Sequence, residues 1–140
     1  MILRRIVTCF LEIDDKLLLL RRSDRVGTYK GKWASVSGHI ERGEDEFKRA
    51  LIEIEEETKL KKKDVKLLAK SEPITVTDNN NKVSWKVYPF LFRVLKNNIR
   101  IDWEHTEYRW IEPSELTKYD TVPMLNEVYT LLREKIRNRS

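Results

Sequence analysis

Three glutamates on one face of a predicted helix are the residues in this chain best suited to chemistry. Glu53, Glu56 and Glu57 have the spacing i, i+3 and i+4, which brings their Cβ atoms to about 5–6 Å from one another. Like charges at this spacing repel, and the negative end of the helix dipole adds to the repulsion in the second half of the helix. A bound divalent cation would remove this conflict. Clustered carboxylate oxygens suit Mg²⁺ or Mn²⁺, and Mg²⁺ commonly shares its ligand shell with substrate phosphates.

A glycine-containing loop precedes these glutamates, and residues 38–60 read GHIERGEDEFKRALIEIEEETKL. A second face of the predicted helix is apolar and should pack on a core; it carries Phe47, Ala50, Leu51, Ile54 and Thr58. For an isolated glutamate triplet, a solvated charged face would be the better interpretation. The loop in front of the helix favours a functional one.

Residues 38–60 resemble the Nudix box, whose pattern is G-x5-E-x7-R-E-U-x-E-E-x-G-U, where U is a bulky aliphatic residue. The matching positions are Gly38, Glu44, Glu53, Ile54, Glu56, Glu57 and Leu60. The resemblance implies an α+β or α/β fold of the Nudix type, with a mixed β-sheet sandwiched between helices. It also implies that Glu53, Glu56 and Glu57 bind Mg²⁺ or Mn²⁺. Gly38 would allow a backbone turn with positive φ beside the metal, and Glu44 would orient the box from outside the metal's ligand shell.

Two positions depart from this pattern. Ile52 stands where the family has an arginine that pairs with glutamates of the box, and Lys59 stands where it has a second glycine. Our hypothesis is that Arg49, four residues before Glu53, replaces the missing arginine. The glycine is typical of a left-handed helix end, so with lysine in its place we expect the helix to end differently.

A further glutamate, Glu104, lies far from the box in the sequence. Residues 99–110 resemble the corresponding part of diadenosine-tetraphosphate hydrolases, in which Glu-His is followed by Tyr-Arg-Trp. In many Nudix hydrolases a glutamate in this region reaches the metal site as a ligand or as the base. The resemblance therefore assigns catalysis to Glu104 together with Glu56, although a plain turn residue is the alternative for Glu104. We interpret His105 as a polar surface residue.

Basic residues are concentrated just before the box, in the stretch from residue 21 to residue 32. Among them we expect Arg22 and Lys32 to contact substrate phosphates, although a solvated loop is the alternative for each residue taken singly. Four aromatic residues could stack on a nucleobase, and each is also typical of a core: Tyr29, Trp85, Tyr88 and Trp103.

Length and composition limit the remaining possibilities. The 140 residues fit one domain, 1–140, and the net charge of +5 is spread along the chain, where it could attract an anionic nucleotide. The single cysteine, Cys9, excludes an internal disulfide framework and is expected to be a buried thiol. We find no signal-peptide pattern and no apolar run near the ~20 residues of a membrane span, so we expect a cytoplasmic protein with no membrane partner. The sequence leaves open whether the protein forms a homodimer.

The remaining chain is predicted to be mostly strand. We expect strands at 2–13, 17–20, 33–36, 65–70, 73–78, 82–95, 99–101 and 108–111, and helices at 113–117 and 122–137. The continuous apolar run of residues 17–20 predicts a central strand covered on both faces. Pro89 predicts a bulge or an edge within the long strand.

The resulting functional hypothesis is a Mg²⁺-dependent pyrophosphohydrolase that cleaves a nucleoside diphosphate linked to another group. Dinucleoside polyphosphates are the first choice because of the Glu104 region, with ADP-ribose and nucleoside triphosphates as further candidates. The alternative is a nucleotide-binding or regulatory module of Nudix type with impaired catalysis, which Ile52 favours. An RNA-binding or decapping protein ranks last, because the sequence lacks an aromatic RNA-binding signature, and nucleic acid is an unlikely partner.

Overall fold

A mixed β-sheet carries the elements that form the candidate site. The structure, a computed structural model, describes residues 2–137, so Met1 and residues 138–140 of the predicted domain lie outside the described residues. The strands are β1 (Ile2–Ile13), β2 (Lys16–Arg22), β3 (Trp33–Ala34), β4 (Val36–His39), β5 (Val65–Lys70), β6 (Ile74–Asp78), β7 (Val83–Val94) and β8 (His105–Ile111). The α-helices are α1 (Glu46–Thr58) and α2 (Leu125–Arg137), and 3₁₀ helices occur at Lys62–Asp64 and Pro113–Lys118.

The long strand β1 is the centre of the sheet. It pairs in parallel with β7, from Ile2 opposite Val83 to Glu12 opposite Arg93. The other edge of β1 is shared by β2 and β4, both antiparallel. β3 and β8 extend the sheet beyond β2, and β5 and β6 extend it beyond β7. One parallel pair among antiparallel neighbours makes the sheet mixed, as predicted.

The two faces of the sheet are covered by different helices. Leu18 and Leu20 of β2 lie in a core cluster with Ile54 of α1, whereas Leu17 and Leu19 lie in a second cluster with Leu132 of α2. Successive residues of a strand point to opposite faces, so a strand covered on both sides needs a continuous apolar run. The predicted central strand, and the sheet between helices, are therefore confirmed. No helix within residues 2–137 is long and apolar enough to cross a membrane.

Helix α1 begins and ends with identifiable caps. Asp45 accepts a hydrogen bond from the Lys48 backbone N–H at 3.0 Å, which satisfies one of the free donors of the first turn. At the other end, Lys59 has φ 67° and ψ 6°, and its N–H donates to the Glu55 carbonyl oxygen. The helix thus keeps a left-handed end without glycine, and the expectation that it ends differently is wrong. A side chain in this conformation costs about 1 kcal/mol.

Several boundaries differ from the sequence prediction. Residues 33–36 form two strands, because β3 pairs with β2 while β4 pairs with β1. Residues 99–101 are not a strand, since the Arg100 N–H donates to the Thr58 carbonyl oxygen at the end of α1 and not to a neighbouring strand. Helix α2 begins at Leu125 and not at residue 122.

Pro89 lies within β7, where it faces Thr8 of β1. On the opposite side of β7, the pairing with β6 reaches Val87 and the pairing with β5 begins at Phe90. Proline has no N–H to donate, and it occupies the gap between these two partner strands. Pro89 therefore marks a local edge, as predicted, in a strand that is otherwise central.

Candidate active site

A cavity of about 350 Å³ lies between the sheet, the loop that precedes α1, and α1 itself. Its charged and polar lining includes Arg22, His39, Glu41, Arg49, Glu53, Glu56 and Glu104. Its apolar lining comes from strands of the sheet and from the start of α2, and includes Ile6, Val76, Val87, Val122, Leu125 and Val128. A cavity lined by both charged and apolar side chains suits a ligand that joins a charged group to a hydrophobic ring.

The three glutamates of α1 differ in their exposure. Glu53 and Glu57 are buried, with 7% and 1% of their surface exposed, whereas Glu56 is exposed and lines the cavity. Burial raises the pKa of Glu57 well above its usual range, and the negative charge of Glu104 adds to this effect. Among the described residues, no group donates a hydrogen bond to Glu57 Oε2. A buried carboxylate oxygen without a partner is costly, and a cation would satisfy it.

Arg49 connects the loop to the helix. Its Nε and Nη2 donate hydrogen bonds to the two carboxylate oxygens of Glu44, and its Nη1 donates to Glu53 Oε2 at 3.0 Å. Glu44 Oε1 also accepts a hydrogen bond from the Glu41 backbone N–H at 2.6 Å. Burial raises the pKa of Glu53, and the hydrogen bond from Arg49 opposes this rise. Arg49 thus makes the contacts expected of a replacement for the arginine missing at Ile52.

Gly38 lies in β4, opposite Val7 of β1. Positive φ among the glycines occurs at Gly31 and Gly43, so the expected positive-φ turn at Gly38 is wrong. Glycine is needed there for another reason. A Cβ atom at Gly38 would lie less than 3.0 Å from three atoms of the Glu53 side chain. The missing side chain leaves the space that the Glu53 carboxylate occupies.

Glu104 approaches the same cavity from the turn before β8. Its side chain is half-buried, and burial raises its pKa, with the neighbouring charge of Asp102 as the next cause. The structure therefore brings Glu104 to the same cavity as Glu53 and Glu56, although these residues are distant in sequence. The adjacent His105 is only 6% exposed, so its interpretation as a surface residue is wrong.

The two basic residues predicted to bind phosphate have different surroundings. Arg22 lines the cavity, and its guanidinium donates hydrogen bonds to the carbonyl and hydroxyl oxygens of Thr28 at 2.9 and 3.3 Å. Burial lowers the pKa of Arg22, and the acids around it act in the opposite direction. Lys32 is not part of the cavity lining; its Nζ lies 2.9 Å from Asp120 Oδ1 in an exposed ion pair.

The apolar part of the cavity includes an aromatic group. Tyr29 and Trp85 line the cavity, and their ring centroids are 6.5 Å apart. His39 also lies beside Trp85, with a centroid distance of 5.8 Å. The Tyr29 hydroxyl donates to Asp78 Oδ2 at 2.7 Å and accepts from Trp85 Nε1 at 3.3 Å, which fixes both rings. Of the four aromatic candidates, Tyr88 is not in the lining and Trp103 is 55% exposed outside it.

The donor set fits a hard divalent cation. The candidate ligands are carboxylates, and Glu57 presents a buried oxygen to which no residue from 2 to 137 donates a hydrogen bond. Within residues 2–137, no three acidic, histidine or cysteine side chains converge into a ready-made metal shell. Mg²⁺ usually retains several waters and takes only one or two carboxylates, with substrate phosphates completing the shell. A site in which only a few protein ligands converge is therefore compatible with Mg²⁺.

Comparison with known proteins agrees with this geometry. The family model for the NUDIX domain matches residues 2–132. The chain belongs to the Nudix hydrolase family. Members of this family hydrolyse phosphorus-containing anhydrides and generally require a divalent metal, usually Mg²⁺.

Individual relatives of this Nudix hydrolase include enzymes with different substrates. The nucleoside triphosphatase NudI of Escherichia coli O139:H28 is 28% identical over 123 residues, which cover 84% of this chain and 87% of NudI. The structure of a C. elegans Ap4A hydrolase in a binary complex covers 99% of each chain with a TM-score of 0.76 and 16% identity. The E. coli dihydroneopterin triphosphate pyrophosphohydrolase has a TM-score of 0.76 at 15% identity and covers 96% of this chain and 99% of its own. At these identities, the two structures show a shared Nudix fold.

Proposed function

We propose that this Nudix hydrolase is a Mg²⁺-dependent pyrophosphohydrolase that cleaves a nucleoside diphosphate linked to another group. The observation that carries the proposal is the position of Glu104, which lines the same cavity as Glu53 and Glu56 of α1. Acids from two distant segments around one cavity are expected of a site that handles a cation and an anionic phosphate chain.

Several charged residues in or near the cavity have a proposed role. Glu53, Glu56 and Glu57 would hold Mg²⁺, with one or two of these carboxylates on each ion, and the metal would supply electrostatic stabilisation to the phosphate chain. Glu104 accepts the proton of the attacking water, because burial raises the pKa of its carboxyl group. Glu56 is the alternative base. Arg22, which lines the same cavity close to Glu57 and Glu104, contacts phosphate oxygens. Lys32 is the weakest of the predicted ligands, because Asp120 already neutralises its charge.

The cavity supports a nucleotide as the substrate. Its volume of about 350 Å³ is at the small end of the range of about 300–1,000 Å³ that ligand sites occupy, so it takes one nucleoside and not two. A dinucleoside polyphosphate, our first candidate, would place its second nucleoside outside the cavity. The likeness to NudI, at 28% identity, supports nucleoside triphosphates as the second candidate. ADP-ribose is the third.

A turnover screen tests the proposal. Purified protein is incubated with diadenosine tetraphosphate, ADP-ribose, NADH or nucleoside triphosphates, in Mg²⁺ or in EDTA, and product is measured by chromatography. We expect cleavage of one class in Mg²⁺, none in EDTA, and a loss of several orders of magnitude in Glu56→Gln with an unchanged thermal unfolding midpoint. Glu55→Gln, an exposed acid of the same helix outside the cavity lining, is the matched control.

Two outcomes would contradict the proposal, the first for the role of Glu56 and the second for the function as a whole. Full activity of pure Glu56→Gln would remove the proposed role of that residue. Nucleotide binding without turnover of any substrate would identify a binding module. The absence of arginine at position 52 favours that module less than the sequence suggests, because Arg49 already contacts Glu44 and Glu53.

A further inference from the structure

His105 is buried between two acidic side chains. It is the first residue of β8, and only 1% of its side chain is exposed. Its Nδ1 lies 3.3 Å from Asp102 Oδ1, and its Nε2 lies 3.6 Å from Glu57 Oε1. The ring therefore spans the space between the turn before β8 and the buried end of α1. A residue that only filled this space would be apolar, since a polar ring is costly to bury without partners.

Hydrogen bonds fix Asp102 and the turn in which it lies. Asp102 Oδ1 also accepts a hydrogen bond from the Glu104 N–H at 3.2 Å, and the Asp102 carbonyl oxygen accepts one from the His105 N–H at 3.2 Å. The turn is fastened to the end of β2, because the Ser23 N–H donates to the Glu104 carbonyl oxygen at 2.8 Å and the Ser23 hydroxyl donates to the Trp103 carbonyl oxygen at 3.0 Å. The imidazole is thus attached to a fixed turn that also carries Glu104.

The two oxygens of Glu57 have different surroundings as a result. Oε1 faces the imidazole, whereas no described residue donates a hydrogen bond to Oε2, and the neighbouring side chain of Glu53 is itself an acid. We propose that His105 is a positioning residue: its buried ring packs against Glu57 Oε1, 3.6 Å away and without a hydrogen bond, and thereby keeps Oε2 on the side that would face the divalent cation. This inference rests on the proposed function. It explains why a histidine stands directly after Glu104: one side chain fixes the distance between the acids of α1 and the acid of the turn.

Two substitutions separate positioning from space filling. His105→Gln retains an amide at about the reach of Nε2, towards Glu57, and His105→Asn retains one at about the reach of Nδ1, towards Asp102. The Mn²⁺ affinity of substrate-free protein is measured by isothermal titration calorimetry, with thermal unfolding in EDTA as the measure of folding. Thr106→Ala, at the exposed next position of β8, is the control.

We expect His105→Asn to weaken Mn²⁺ binding about 10- to 100-fold, as loss of a residue behind a metal ligand commonly does. His105→Gln should remain within about 3-fold of the parent protein, since it keeps the contact with Glu57. Equal Mn²⁺ affinity in the two variants would overturn the inference, whether both match the parent or both are weakened with a lowered unfolding midpoint. Equal affinity in the two variants would leave the proposed function intact, provided that the parent protein turns over nucleotide in a metal-dependent way. Absence of Mn²⁺ binding in the parent protein would overturn the proposed function and this inference together.

Discussion

The guanidinium of Arg49 donates a hydrogen bond to each of the two carboxylate oxygens of Glu44. A third hydrogen bond joins Arg49 to Glu53, so one side chain links the loop before α1 to an acid of the cavity. Bidentate pairs of arginine with a carboxylate fix geometry as well as charge. In this chain, these hydrogen bonds from Arg49 hold the loop in place although position 52 lacks the arginine of the Nudix pattern.

Removal of Arg49 should disturb the metal site. We expect Arg49→Ala to lower kcat/KM and Mn²⁺ affinity about 10- to 100-fold, because Glu53 loses the partner that orients its carboxylate. Arg42→Ala, at an exposed arginine of the same loop, is the control and should match the parent protein. Steady-state kinetics and calorimetry measure both effects. Unchanged values for Arg49→Ala would show that the bridge does not support the site.

The position of Ile52 offers a second check of the same bridge. Ile52 is 42% exposed, at the place where the family has arginine. Ile52→Arg alone should leave kcat/KM nearly unchanged, because Glu44 and Glu53 already have a partner. In the Arg49→Ala background the same change should restore part of the activity, and a double-mutant cycle measures this coupling.

Substitution of Gly38 should displace the carboxylate of Glu53. A methyl group at Gly38 overlaps the Glu53 side chain, and overpacking of this kind costs about 1–3 kcal/mol of unfolding free energy. We expect Gly38→Ala to lose that stability and to bind Mn²⁺ more weakly. Gly27→Ala is the matched control, since nothing lies within 4 Å of its added Cβ atom. Urea unfolding and calorimetry test both variants; a Gly38→Ala protein as stable as Gly27→Ala would contradict the prediction.

The buried acid Glu57 should make the protein less stable without metal. Glu57→Gln replaces a buried carboxyl group, whose ionisation burial opposes, by an amide that does not ionise, so we expect the unfolding free energy in EDTA at neutral pH to rise by about 1–3 kcal/mol. Mg²⁺ should stabilise the parent protein and have little effect on the variant. Glu55→Gln, on the exposed side of α1, serves as the control. Equal stabilisation by Mg²⁺ in the parent protein and in Glu57→Gln would exclude Glu57 as a ligand.

The left-handed helix end at Lys59 predicts a stabilising substitution. Lys59→Gly should raise the unfolding free energy by about 1 kcal/mol, because glycine adopts a φ of 67° without the steric penalty of a side chain. Lys59→Ala removes the lysine side chain but keeps its Cβ, so it should give no such gain. Chemical denaturation compares the two proteins. A similar gain for both would point to the lysine charge as the cause.

Local patterns in the sequence were sufficient for most of the fold. The leucine run of β2 and the apolar stripe of α1 depend only on periodicity, and both were predicted correctly. Residues 99–101 also alternate in hydrophobicity, but Arg100 bonds to the end of α1, and a contact of this kind leaves no periodic signal. Boundaries such as the start of α2 depend on tertiary packing for the same reason.

The candidate site was only partly visible in the sequence. The acids of α1 and the link from Arg49 to Glu53 follow from helical spacing, whereas the position of Glu104 depended on a resemblance to diadenosine-tetraphosphate hydrolases. The burial of His105 had no local signal, because its partner Glu57 belongs to a distant helix. Tyr29 and Trp85 were among the aromatic candidates, but spacing could not separate them from Tyr88 and Trp103. His39 was missed entirely, since a histidine at a strand end carries no pattern.

The space above Gly38 has a consequence for how this protein can change over evolutionary time. The side chain of residue 53 occupies the volume that any side chain at position 38 would need. Substitutions at the two positions therefore depend on each other: a larger residue at position 38 is tolerated only after position 53 has become smaller. A protein with a larger residue at position 38 would first have lost the acid Glu53 from the cavity. We therefore expect glycine at position 38 wherever Glu53 is retained.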